Sequence, residues 1–471
     1  MPIPILNPAQ MRAWERATWA GGQTEAEVIR RVGKRIARRA RQLTRADDAI
    51  LFLIGKGHNG DDARAAAEQL EGRRAVPLEI FLPDTILPTL ETRLREKPAL
   101  IVDGLFGLGL NRPLSEPWRQ VIAAVNAAQI PVLAIDTPSG LDAATGEPLG
   151  AAIQAAVTLT VGAPKTGLLA PAAWPYVGRL EVTGDVGLAA PCPLTAEWNW
   201  TLPDDFVFYP PPRKISGHKG DSGHAAIIAG SLGFHGAAVL AACGAQRAQP
   251  GLVTVLTPEN VFLPVAAQLQ AAMVNVWRGE NSLPEKTTAA LLGPGLAAPG
   301  LPAELKAFAR QLWRAAAFPV VVDASALDWL EPSPAPLPGV RVLTPHPGEA
   351  ARLLGQTPAE IQAARPTALR ALSQKFGGAW VVLKGRQTLI GRMEGQGFVN
   401  GSGNPHLAQG GSGDLLAGFI TGLLAQPALQ TDVATALRYA VWQHGAVADE
   451  LTARRRHWTV EDLATALGEV V

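Results

Sequence analysis

The chain is short of cysteine and of net charge, and both shortages narrow what it can be. Its 471 residues contain two cysteines, Cys192 and Cys243. That excludes a disulfide framework, and no Cys-x-x-Cys or Cys/His spacing suggests zinc. Lys and Arg number 42 against 41 Asp and Glu, a formal charge of +1. The balance argues against a nucleic-acid protein running on bulk charge and against a polybasic membrane binder, but allows a local phosphate site. Charged residues are 18% and hydrophobic ones 47%, which argues against disorder. Arg12, Glu15 and Arg16 precede any long apolar run, so no signal peptide is expected and the cytoplasm is the expected compartment. Residues 225–246 lack Asp, Glu, Lys and Arg. Gly230, Ser231, Gly233, His235 and Gly236 interrupt them, so they read as strand, turn and helix rather than a membrane span.

Gly (48) and Pro (39) are abundant and punctuate many short turns instead of forming one tract. At ~150 residues per domain the length suits three domains or two large α/β domains, and it suffices for a sizeable core without a disulfide or metal. Asn7-Pro8-Ala9-Gln10 reads as a helix start, and Thr24 with Glu27 repeats the capping box before an Arg-rich helix to about Arg41. Short apolar runs then recur at 49–54, 78–82, 99–102, 131–135 and 157–161, with helix-like segments near 61–72 and 117–128. Buried strands alternating with helices predict a parallel sheet. Residues 189–217 break the pattern with Pro191, Pro193, Pro203 and Tyr209-Pro-Pro-Pro212, as a linker or interdomain strap does. The alternation restarts at 225–229, 252–256, 289–292, 319–322, 342–344 and 381–383. The fold class expected is α/β in two domains, 1–208 and 209–471.

In the first half, Gly55-Lys-Gly-His-Asn-Gly60 has the text of a dinucleotide fingerprint, with Glu79 downstream. A structural glycine turn is the alternative, and Asp61 and Asp62 would compete with phosphate at that helix N-terminus. Asp103 and Asp136 each end an apolar run, and Ser139 follows in Thr137-Pro-Ser-Gly140. Each alone reads as a helix cap. Together with Asn59 they line the carboxyl edge where open sheets bind ligands, and their hard oxygens suit K⁺ better than zinc.

In the second half, Thr344-Pro-His346-Pro-Gly-Glu349 holds a histidine rigidly at a strand end. Gly293-Pro-Gly295 and Asp323 follow other strands as possible turns. Leu383-Lys384-Gly-Arg-Gln-Thr388 offers a cation and donors to a nucleotide phosphate. Gly410-Gly-Ser-Gly413-Asp414 follows Gly403-Asn404-Pro405 and opens an apolar helix. Its successive N–H groups form an anion hole for phosphoryl transfer, and Asp414 can accept a proton from an attacking hydroxyl. An Asp favouring the helix dipole is the alternative.

Residues 55–62, 103–113, 135–142 and Ala163-Pro-Lys165-Thr-Gly167 resemble the epimerase domain of NAD(P)H-hydrate repair enzymes. The family loop GxGNNGGDG departs here at His58, Asp61 and Ala63. The second half resembles the ribokinase-like superfamily, and more narrowly the ADP-dependent NAD(P)H-hydrate dehydratase. One departure is His406-Leu-Ala-Gln409 for the usual Gly-Met-Ala-Thr. Epimerase first and dehydratase second is the order of the bifunctional bacterial enzyme.

The resemblance implies epimerisation of R and S NAD(P)HX by the first domain and ADP-dependent dehydration of the S form by the second. It implies one K⁺ per epimerase site, held by Asn59, Asp103 and Ser139. Substrate contacts there would be His58, Asn59, Gly60, Asp61 and Asp62, then Gly107, Leu108, Gly109, Leu110, Asn111, Arg112 and Pro113, with Asp136. Asp136 is the first choice of epimerase base and Lys165 the second. In the second domain Ala237, Gly295, His346 and Asp414 would hold substrate. Lys384, Gly385, Arg386, Gln387, Thr388 and Gly413 would hold the nucleotide, with Mg²⁺ as a further ion. The expected protein is a cytoplasmic homo-oligomer taking small-molecule substrates and no nucleic acid. Alternatives are an ATP-dependent small-molecule kinase, a dehydratase with a non-catalytic N-terminal binding module, and a dinucleotide dehydrogenase.

Overall fold

The computed structural model describes residues 2–279 and 283–470. The chain forms two compact units, Ile3–Trp200 and Thr201–Val471.

The first unit begins with β1 (Ile3–Pro4) and the helices Pro8–Ala20 and Glu25–Leu43, both opened by the expected capping boxes. Its sheet strands are β2 (Ala49–Ile54), β3 (Arg74–Glu79), β4 (Leu100–Gly104), β5 (Val132–Ile135), β6 (Val157–Val161) and β7 (Arg179–Thr183). They run parallel in the order β3-β2-β4-β5-β6-β7. β8 (Trp198–Trp200) pairs antiparallel with β1. Side chains alternate across β2, as strand geometry requires. Ile50, Phe52 and Ile54 join Met11, Trp14, Val32 and Ile36 in one buried cluster. Leu51 and Leu53 join Leu90, Leu94, Val121 and Ile122 in another. A sheet covered on both faces explains the continuous apolar runs. The edge strand is the exception. The apolar run 78–82 predicts a strand there, yet β3 starts at Arg74, Leu78 is buried, and Phe81 and Leu82 are exposed. An edge strand with a solvated side needs no continuous apolar run, so the pattern misplaces it.

The second unit holds β9 (His224–Ile228), β10 (Leu252–Thr257), β11 (Met273–Val276), β12 (Ala289–Leu292), β13 (Val320–Val322), β14 (Arg341–Leu343), β15 (Trp380–Leu383), β16 (Leu389–Gly391) and β17 (Gly397–Val399). Their order is β17-β16-β15-β14-β13-β12-β9-β10-β11. Pairs from β15 to β11 are parallel, and β16 is antiparallel to both neighbours. The Pro-rich stretch is partly ordered within this unit. Phe206 and Tyr209 pack on Tyr439, with ring centroids 5.4 and 5.0 Å away, and buried Arg438 pairs with Asp205. Residues 225–246 form β9, a turn and most of the helix His235–Arg247. Among the described residues no helix is long and apolar enough to cross a membrane.

One contact positions the second unit's site. The helix Ser412–Leu424 lies directly on His235–Arg247. A Cβ on Gly418 would meet the Ala241 carbonyl oxygen at 1.9 Å, and one on Gly244 would meet that of Leu415 at 2.1 Å. Glycine is needed at both positions because backbone touches backbone.

Candidate functional site

In the first unit the chain turns from one side of β2 to the other, β3 to β4, and this reversal opens a crevice at the carboxyl ends. Gly57 enters the helix His58–Glu68 with φ +86°. A Cβ on Gly55 would strike the Leu105 carbonyl oxygen at 2.1 Å, and one on Gly60 that of Gly55 at 1.9 Å. Gly55 and Gly60 therefore serve close packing, whereas Gly57 has open space around it and serves the turn. Glu79 is paired with Arg64 at 3.1 Å and Arg64 with Asp61 at 2.8 Å, so the fingerprint acid is engaged locally. His58 is exposed and bonded to Glu25.

Asn59, Asp103 and Ser139 come together. Asp103 is wholly buried at the end of β4. It accepts the Ser139 hydroxyl at 2.6 Å and the Ser139 N–H at 2.8 Å. The Leu105 N–H also donates to it, at 3.2 Å. Burial pushes its pKa up to about 6 against the pull of these donors. Asn59 donates its amide to the Phe106 and Ile135 carbonyls at 2.9 and 3.2 Å, and the Phe106 N–H donates to Ser139 Oγ at 2.9 Å. The cluster thus has oxygens of four kinds: carboxylate, hydroxyl, amide and carbonyl.

Asp136 and Lys165 form a second cluster. Lys165 is fully buried and its ammonium donates to Asp136 Oδ1, to Thr160 Oγ1 at 3.0 Å and to the Val161 carbonyl at 2.8 Å. Asp136 has φ +62° and accepts the Val161 N–H at 3.0 Å. Asp62 is buried nearby. Its pKa is raised well above the ordinary range, by burial first and then by Asp136, Asp61, Glu15 and Glu25. Glu15 is raised likewise, by burial and then Asp136, with Lys165, His58 and Arg12 opposing. Asn111, Arg112 and Pro113 lie exposed on the loop after β4, and Arg12 holds that loop through the Leu108 carbonyl at 2.9 Å.

In the second unit the central relationship is an ion pair that sequence reading did not single out. Lys384, after β15, donates its ammonium to Asp323, after β13, at 2.7 Å. Thr344 Oγ1 donates to the same oxygen at 2.7 Å. Burial alone would depress the Lys384 pKa; Asp323, Glu349 and Asp414 outweigh it, and the pKa is raised. A Cβ on Gly413 would lie 3.3 Å from Lys384 Nζ. Gly411 caps the helix with φ +92°, and Ser412, Gly413 and Asp414 form its first turn. Asp414 is pushed up to about 7. Burial is the largest cause, Asp323 adds to it, Lys384 opposes, and Glu349 adds further.

His346 caps the helix Pro347–Leu354. Its Nδ1 accepts the Gly348 N–H at 3.0 Å, and Glu349 returns a bond to the His346 N–H at 2.8 Å. A Cβ on Gly295 would touch Ala237 Cβ at 2.8 Å, so Gly295 and Ala237 adjoin. Asn404 is held by Asp449 at 3.0 Å. Arg365 holds the loop carrying Lys384 through the Leu383, Lys384 and Arg386 carbonyls. His444 is buried, with Nε2 3.1 Å from the Ser412 carbonyl oxygen; burial lowers its pKa to about 4, so it stays neutral at pH 7. Asp323 has the sequence signal that marks Asp103 and Asp136, an acid ending an apolar strand. Arg365 opens the helix Arg365–Lys375 and His444 sits inside the helix Val433–Arg454, and neither carries such a signal.

Residues 225–470 match the family described as NAD(P)H-hydrate dehydratase, and residues 78–167 match YjeF-related protein N-terminus. The chain is 36% identical to the bifunctional NAD(P)H-hydrate repair enzyme of Gloeobacter violaceus, covering 98% of this chain and 96% of that one. It is 34% identical to the Escherichia coli enzyme of that name, over 100% and 94% of the two chains. A solved ADP/ATP-dependent NAD(P)H-hydrate dehydratase from Bacillus subtilis, co-crystallised with ATP/Mg²⁺, is 33% identical over 55% of this chain and 92% of that one, with a TM-score of 0.48. With relatives matched nearly end to end and one family described on each unit, the chain belongs to the bifunctional NAD(P)H-hydrate repair enzymes.

Proposed function

We propose that the second unit dehydrates S-NAD(P)HX with ADP and that the first interconverts the R and S epimers. The observation carrying the dehydratase reading is Asp414, a carboxyl with a pKa of about 7 in the first turn of a helix, beside the Lys384–Asp323 pair. Hydroxide leaves poorly, so the C6 hydroxyl must first be phosphorylated. Asp414 takes the hydroxyl proton as that oxygen bonds to the β-phosphorus of ADP and the bond to AMP breaks. The N–H groups of residues 411–413 and the Lys384 ammonium face the charge on the transferring group. The C6–O bond then breaks, phosphate departs with the electron pair, and loss of the C5 proton restores the ring double bond. His346, Gly295 and Ala237 are assigned to the substrate, and residues 384–388 with Gly413 to ADP. Mg²⁺ would arrive on the nucleotide phosphates, as that ion commonly does.

In the first unit, Asp103, Ser139 and the Oδ1 of Asn59 fit a K⁺ ion. They are hard oxygens, and one carboxylate suits a monovalent charge. Such an ion supplies charge that orients the anionic dinucleotide. Asp136 is assigned as the base, with Lys165 holding its carboxylate oriented. Residues 58–62 and 107–113 are assigned to the dinucleotide. Cys192 and Cys243, both free, support a cytoplasmic enzyme. Exposed Val207, Phe208 and Ile215 support a homo-oligomer, which a monomer in sedimentation velocity would overturn.

The test supplies purified protein with separated NADHX epimers and ADP and follows the absorbance of reduced nicotinamide. Recovery from S establishes the dehydratase. Recovery from R faster than spontaneous epimerisation establishes the epimerase. Failure with S sinks the first claim, and recovery from S alone leaves the first unit as a binding module.

A further inference from the structure

A cavity beside Gly295 has no part in the chemistry above. Residues 296–301 with Ser325, Asp328 and Trp329 of the 3-10 turn Ala324–Trp329 line an open cavity of about 290 Å³, with Lys306 on the rim. That is near the lower end of the ~300–1,000 Å³ of small-molecule sites, a size for part of a dinucleotide. Its position relative to Gly295 is fixed. Ser231 is buried, donates to the Gly295 carbonyl at 2.6 Å and accepts the Ala298 N–H at 3.1 Å, so the loop leaving Gly295 is pinned. The opposite wall starts two residues after Asp323, which holds Lys384.

Three side chains give the cavity its chemistry. Trp329 is largely buried beneath the cavity, and the Lys306 ammonium stands over its ring, 5.7 Å from the centroid. Asp328 is the nearby acid, but Arg352 binds both of its oxygens, at 3.3 and 3.1 Å. The acid is therefore compensated. Among the described residues Lys306 has no ion-pair partner and rests over the Trp329 ring, so the cavity rim has a cation that no carboxylate neutralises. In dinucleotide sites a free carboxylate reads the ribose 2′-hydroxyl, whereas a cation accommodates a 2′-phosphate. Lysine does so as a point charge.

We propose that this cavity takes the adenosine end of the hydrated dinucleotide and that Lys306 selects the ribose 2′-phosphate, favouring NADPHX over NADHX. The inference rests on the dehydratase reading of Gly295, His346 and Asp414. Leu296, Pro299 and Leu301 give the base an apolar lining, and the Arg352–Asp328 pair offsets the acid that would repel the phosphate.

The experiment compares the wild-type chain with Lys306→Ala and Lys306→Arg. It measures kcat/KM for S-NADPHX and S-NADHX at saturating ADP, and NADPH and NADH binding by nicotinamide fluorescence. The NADPHX-to-NADHX ratio is expected to fall roughly tenfold in Lys306→Ala, as loss of a charge-assisted contact implies. Lys306→Arg is expected to restore it, and NADPH affinity to fall in step. Lys306 is exposed, and an unchanged melting temperature in the alanine variant verifies the fold. An unmoved ratio together with unmoved NADPH affinity overturns the proposal. If the wild type turns over neither hydrate yet NADPH binding depends on Lys306, the dehydratase reading fails and the cavity assignment survives.

Discussion

The Lys384 ammonium is 2.7 Å from Asp323 Oδ1, and this pair sets the field in which Asp414 titrates. Two carboxylates and burial push Asp414 up to about 7, while Lys384 holds it down. A base works in its ionised form, so dehydratase kcat is expected to rise with pH through an apparent pKa near 7. Lys384→Met removes the stabilising cation, which moves that limb to higher pH. A pH profile of both proteins checks this, and a shift to lower pH contradicts the assignment.

Asp414→Asn is expected to abolish turnover, with kcat down by about 10²–10⁴ if general-base catalysis is what is lost. ADP binding, measured calorimetrically, is expected to persist. The residue sits in the helix's first turn and Asn keeps its size, so a folded and inactive protein is the expected product.

In the first unit the cation reading predicts a potassium response. Replacing K⁺ with tetramethylammonium is expected to slow consumption of R-NADHX while leaving S-NADHX consumption in place. Asp103→Asn is expected to remove the dependence on K⁺. A response unaltered in that variant would put the ion elsewhere.

Lys165→Met leaves the Asp136 carboxylate buried without its cation. Breaking one side of a buried pair costs about 3–5 kcal/mol, and the first unit is expected to show a lower melting temperature. Lys165→Met with Asp136→Asn is expected to recover part of the loss. Asparagine tolerates the positive φ that Asp136 adopts, so the double variant isolates charge from backbone strain.

Gly418→Val forces a side chain where the Ala241 carbonyl oxygen lies 1.9 Å from an ideal Cβ. Overpacking of this kind costs about 1–3 kcal/mol or more, and the active helix is the element displaced. Reduced melting temperature and loss of dehydratase activity are expected together. Gly410→Ala, with no heavy atom within 4 Å of its ideal Cβ, is the matched control, read by melting temperature.

The sequence by itself determined the α/β class and most of the buried strands, though it misplaced the edge strand β3, and it singled out the groups to which the reaction is assigned above. Continuous apolar runs at 49–54 and 381–383 specify strands buried on both faces, and polar residues directly after them must emerge at one edge. Capping boxes at Asn7 and Thr24 were legible because a cap is a contact between residues three apart. Only the tertiary structure decided which edge residues meet. Asp323 and Lys384 are 61 residues apart, and strand order, not spacing, brings them together. Gly55 and Gly60 of the literal fingerprint proved to be packing positions, because their role depends on the backbone opposite, Leu105 and Gly55. Arg365 and His444 escaped sequence reading for the same reason. A charged or aromatic residue on a helix carries no local mark of its burial, which arises when distant elements close over it and shift its titration.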